Sequence, residues 1–130
     1  MGLFNLDNFC SFRRLRFEFA ERVFNVQANS TFNLSGQMVN KTDATLNIDS
    51  LISERDLMTF FCFDRQQTRP KPIQCNGCTG ILNPGKSKPV TFLVEVPEKP
   101  GEYFSRIGLD FALEIPEQNS DFFKLNVREE

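Results

Sequence analysis

The sequence predicts an all-β fold, a single antiparallel sandwich of about seven to eight strands, and three observations carry that expectation. Several stretches alternate apolar with polar residues, the period of a strand that buries one face. Turn chemistry separates them: in Pro84-Gly85 and Pro100-Gly101, proline presets φ at one turn position and glycine supplies the positive φ of the next. No stretch keeps a helical period beyond one turn, and no internal repeat, heptad or low-complexity segment suggests a solenoid or coiled coil.

Residues 15–26 alternate with Leu15, Phe17 and Phe19 on one side. They break at Ala20-Glu21-Arg22 and resume with Val23, Phe24 and Val26, which reads as two short strands joined by a bulge or turn. Residues 31–39 place Phe32, Leu34, Gly36 and Met38 opposite Asn33, Ser35 and Gln37. Residues 40–43 then form a turn, and residues 45–52 a strand with Leu46, Ile48 and Leu51 inward. Ser53 can cap a single helical turn over residues 53–58. Residues 57–63 are apolar almost throughout, as expected of a strand covered on both faces or lying at an interface. Residues 64–80 lose all periodicity and hold Pro70, Pro72, Gly77 and Gly80, so a long and functional loop is expected there. Phe92, Val94 and Val96 share one face of the next strand, and residues 104–113 and 122–127 form the last two.

A chain of 130 residues fits one domain, which buries about two thirds of its extended-chain surface. Residues 1–14 form an N-terminal arm or first strand, and residues 15–130 form the sandwich. The spacing favours the immunoglobulin type, with a lipocalin-like or jelly-roll barrel second. Fifteen Phe against one Tyr and no Trp is the one compositional bias, and core filling is its ordinary meaning. A net charge of -2 gives no field to draw in nucleic acid or anionic membrane, and the basic run Arg13-Arg14-Leu15-Arg16 is diluted by Glu18 and Glu21. No stretch has the length of a membrane span, and the first residues lack the basic and apolar regions of a secretory signal. Gly2 meets the myristoylation pattern only weakly, because Leu6 stands where Ser or Thr is wanted. An intracellular, cytoplasmic protein that binds neither nucleic acid nor membrane is the expectation.

Residues 33–50 and 82–109, with their Asn-rich turn, Pro-Gly turn and Pro-x-x-Pro-Gly-x-Tyr run ending at Tyr103, give the chain a layout that resembles a group of immunoglobulin-like domains. These are the cilium/sperm-protein (MSP/ASH) domains with their bacterial relatives, and the four-tryptophan domain of autophagy receptors. The layout covers nearly the whole chain, but its motifs are turn chemistry and of low specificity. The absence of tryptophan here means that no role of those rings carries over. Cys75-Asn-Gly-Cys78-Thr is similar to a Cys-Gly-Cys-Thr element of the bacterial relatives, one residue longer. The resemblance implies a non-enzymatic binding or assembly module.

Cys75 and Cys78 have the knuckle spacing for one tetrahedral ion, and with no His a zinc site would have to recruit Cys10 and Cys62 as well. That is half a signature. No cofactor is expected, and the ordinary expectation is a buried Cys62 beside Phe61 and Phe63, with Cys75 and Cys78 reduced in a loop. A redox dithiol has less support, since no βαβ pattern surrounds the pair. Without His the commonest general base is missing, and an enzyme is not expected. Asn29, Asn33 and Asn40 head glycosylation sequons and are read as turn and strand residues.

An adaptor that binds another protein, or a second copy of itself, follows as the first functional expectation, through an edge strand, the long loop, or Phe60, Phe61 and Phe63. A structural subunit of a particle or filament, assembled through Phe4, Leu6, Phe9 and Phe12 of the arm, is the alternative. A carrier of an apolar small ligand is the weaker one.

Overall fold

The computed structural model describes residues 15–53, 56–68, 70–110 and 120–129. Two sheets pack face to face. One has four strands: β1 (Leu15–Glu18), β3 (Thr31–Asn40), β10 (Ser87–Glu95) and β8 (Gln74–Asn76), in that spatial order. The other runs β2 (Val23–Gln27), β12 (Phe123–Arg128), β11 (Gly101–Asp110), β5 (Asp56–Phe63) and β6 (Gln66–Gln67), with β7 (Lys71–Pro72) also on β5. In immunoglobulin lettering these orders are A-B-E-D and A′-G-F-C-C′, so the sandwich, and not the barrel, is the fold. Tyr103, at the start of β11, is buried and its Oη donates to Lys99 O at 2.7 Å. That is the tyrosine corner expected where the E strand turns into F.

Among the described residues, Phe17, Phe19, Phe61, Phe92 and Phe123 lie in the core. Phe17 and Phe19 both meet Phe92 edge-on, Phe19 and Phe24 meet Phe123, and Phe61 meets Tyr103. Such pairs contribute beyond their buried area. Phe19 lies over β3 because Gly36 has no side chain: a Cβ there would stand 2.5 Å from the Phe19 ring.

The break at Ala20-Glu21-Arg22 is where the chain changes sheet. Asp121 holds the crossing, accepting from Arg16 at 2.9 Å and Phe19 N at 3.3 Å and pairing with Arg22 at 3.3 Å. Having crossed, β2 runs parallel to β12, the single parallel pair among the described strands.

Two segments differ from expectation. Residues 45–52 make only a two-residue strand, β4 (Leu46–Asn47), paired with β9 (Ile81–Leu82), before helix α1 (Ile48–Ser53) begins. Ile48, Leu51 and Ile52 stand at i, i+3 and i+4, the spacing of one helical face, and all three pack on the core. Asn47 caps the helix, its Oδ1 accepting from Ser50 N, so Ser53 closes the helical turn and does not open it. Residues 64–80 are not one irregular loop. Asp64 and Arg65, both at positive φ, turn β5 into β6. β7 then returns to β5 before β8 joins β10 in the opposite sheet. Asn40 is fully buried, donating to Ala44 O and Leu82 O and accepting from Thr42, so the third sequon is a structural hub.

Candidate functional site

Adjacent residues of a strand point to opposite faces, so an aromatic doublet in a two-layer sandwich must send one ring outward. The chain has three such doublets on three neighbouring strands: Phe60-Phe61 on β5, Tyr103-Phe104 on β11 and Phe122-Phe123 at β12. Phe61, Tyr103 and Phe123 enter the core. Phe60, Phe104 and Phe122 therefore gather on the outer face of the six-stranded sheet.

Register sets their neighbours. Arg106 on β11 pairs with Phe60, and its guanidinium lies 5.9 Å from the Phe60 ring centroid and 5.5 Å from that of Phe122. Phe104 stands between Cys62 on β5 and Lys124 on β12, and Lys124 lies beside Val23 on β2. Lys124, ion-paired with Glu102 at 3.0 Å, thus separates Phe104 from Val23, and Asn126 donates to Asn25 at 3.2 Å farther along the same two strands. Phe104 is 49% exposed, Phe122 48% and Val23 59%. A groove of about 500 Å³ adjoins Phe104, lined by Cys62, Phe63 and the strained Asp64-Arg65 turn.

The opposite outer face has other chemistry. Thr31, Asn33, Ser35 and Gln37 of β3, Thr91 of β10, and Gln74 and Asn76 of β8 cover it, with Leu93 its exposed large apolar side chain. It carries a groove of the same volume, about 500 Å³, lined by the amides of Asn33, Gln74 and Asn76 and the Thr91 hydroxyl together with Cys75 and Leu93. Volume does not separate the two faces; composition does.

Of the residues singled out from sequence, Phe61 is core, Phe60 is 5% exposed beneath Arg106, and Phe63 is half-buried against Tyr103 under Lys99. Phe60 and Phe61 are thus buried and do not themselves offer free contact surface. Phe104, Phe122, Val23 and Arg106 were the residues that sequence reasoning missed, although the doublets were there to signal them.

The described cysteines, Cys62, Cys75 and Cys78, do not form one cluster. Cys75 and Cys78 are joined in a disulfide and not reduced, so in this state neither offers a thiolate to zinc. Cys62 is free, half-buried and in the other sheet, and Cys10 lies outside the described residues, as does the Phe-rich arm. Among the described residues no three Cys, Asp or Glu side chains are grouped as a metal site would need. No helix among them is long and apolar enough to cross a membrane.

No protein-family profile and no curated protein matches the sequence. Solved structures do. The CARDB domain of the PF1109 protein from Pyrococcus furiosus, in complex with di-metal ions, is 17% identical over 89% of this chain and 94% of its own, with a TM-score of 0.47. The ASH/PapD-like domain of human CEP192 is 12% identical over 90% of this chain and 87% of its own, with a TM-score of 0.37. The Pseudomonas fluorescens alkylpurine DNA glycosylase AlkC, bound to DNA containing an abasic site analog, is 9% identical over 88% of this chain, with a TM-score of 0.50. The chain spans 30% of that enzyme. At such identities the likeness shows the fold alone: the chain is an immunoglobulin-like β-sandwich domain.

Proposed function

We propose that this domain is a non-enzymatic interaction module that binds another protein through the outer face of its six-stranded sheet. The observation that carries this is the placing of Phe104, Phe122 and Val23, each about half exposed or more, on one face, with Arg106 against Phe122, while the other face is mostly amide and hydroxyl with Leu93 its exposed large apolar side chain. Aromatic and Arg side chains are enriched at protein-protein interface centres, and exposed apolar surface marks such sites. Its layout, shared with cilium and sperm-protein domains, supports an assembly role within the cell. The long loop first expected within residues 64–80 is partly taken up in the short strands β6, β7 and β8.

The test uses the full chain as bait in three forms: wild type, a Phe104→Ala/Phe122→Ala double variant, and a Ser35→Ala/Thr91→Ala double variant. Proteins recovered from cells of the source are quantified by mass spectrometry. A binder retained by the wild type and the Ser35/Thr91 variant, and lost with the Phe104/Phe122 variant, is the expected result. Equal recovery by all three contradicts the proposal.

A further inference from the structure

The disulfide has no part in that surface. It joins Cys75 and Cys78 across a sequence separation of 3. Cys75 is the middle residue of β8, the edge of the four-stranded sheet, and β8 meets β10 through three register pairs: Gln74 on Leu93, Cys75 on Phe92 and Asn76 on Thr91. On its N-terminal side the chain is held by the two pairs of β7 with β5 and by Ile73 N donating to Leu57 O. The two cysteine residues also differ in exposure. Cys78 is 7% exposed within the core, whereas Cys75 is half-buried.

We propose that the Cys75–Cys78 disulfide is a redox-labile clasp that holds β8 on the edge of β10, and that reduction by a dithiol opens this edge. Thiol-disulfide exchange needs a thiolate to reach one sulfur, and Cys75 is the more accessible of the two. Attack of one dithiol sulfur on Cys75 Sγ forms a mixed disulfide and breaks the bond to Cys78 Sγ, which leaves as a thiolate and takes a proton. The second sulfur of the dithiol then attacks its partner sulfur in the mixed disulfide. The reductant departs as an oxidised disulfide, and Cys75 takes the second proton. Two electrons and two protons pass from the dithiol to the protein.

Two further arguments make this a clasp and not only a staple. A bridge closing a four-residue loop restrains that loop by about twentyfold in the chain-entropy picture. That restraint acts on a three-residue edge strand paired on one side only, with β10, so the opening it controls is local. In a reducing compartment disulfides are transient or redox-sensing, which suits a short CxxC bridge at an edge. Once β8 leaves, the backbone groups of residues 91–93 on that side of β10 become an unpaired edge of the kind that accepts an extended segment of another protein.

The full-length protein is compared with and without dithiothreitol under native conditions, by thiol alkylation with peptide mapping and by hydrogen exchange. The expected result is two new labels, at Cys75 and Cys78, with exchange over residues 74–76 and 91–93 faster by about twentyfold while β5, β11 and β12 stay protected. A Cys75→Ser/Cys78→Ser double variant should show the same local acceleration without dithiothreitol. Three results overturn the proposal: no new label at either cysteine, new labels with unchanged exchange, or acceleration across the whole domain.

Discussion

The two outer faces of this sandwich are built from the same backbone geometry and have opposite chemistry. On the four-stranded sheet β3 alternates cleanly, with Leu34 and Met38 fully buried and Asn33, Ser35 and Gln37 in solvent. On the six-stranded sheet the outward residues Met58 and Phe60 of β5 are buried almost as deeply as the inward Leu57 and Phe61. Where only one face of a strand needs covering, polar residues fill the other. Where the outer face also has something to cover, alternation disappears and aromatic doublets take its place.

The largest test of that contrast is stability. Phe61→Ala empties a core site and should cost about 3–5 kcal/mol, and Phe60→Ala should cost nearly as much despite facing outward. Denaturant unfolding measures both, and a near-neutral Phe60→Ala would break the comparison. Next comes binding: truncating Phe104 or Phe122 should weaken the proposed partner by about 2 kcal/mol or more, roughly thirtyfold, while shifting stability by less than about 1 kcal/mol. Titration of the partner against each variant, beside a melting curve, separates the two effects.

Tyr103 gives a smaller effect that sharpens the inward side of the same sheet. Tyr103→Phe removes the bond to Lys99 O and should cost about 1–3 kcal/mol if the carbonyl is left unpaired. Burial raises its phenol above the usual value of 10.0, so the folded protein holds that proton more tightly than the unfolded chain does. Its contribution is therefore complete below about pH 10 and is lost as pH climbs through the raised folded value. Unfolding curves at rising alkaline pH should show a fall that Tyr103→Phe lacks. Smallest of all, Ser35→Ala and Thr91→Ala on the polar face should stay within about 0.5 kcal/mol and leave binding unchanged.

How far the sequence disclosed this depends on where one period held. β3, β10 and β12 were legible because their alternation and bounding turns agree. Residues 48–52 misled because Ile48, Leu51 and Ile52 suit a strand or a helix, and the Asn47 cap that decides between them is a local side-chain bond. The segment 64–80 looked structureless because β6, β7 and β8 have two or three residues each, too few to show a period, and change sheet between them. The candidate face was half legible. The apolar run of β5 pointed to the same sheet, but Phe104 and Phe122 come beside it only through long-range register.

The most direct test of the central claim places a photo-crosslinking phenylalanine analogue at position 104 in one protein and at position 91 in another, each expressed in cells. A discrete crosslinked partner is expected from position 104 and none from position 91. A partner crosslinked from position 91 alone would contradict it and move the binding surface to the polar sheet.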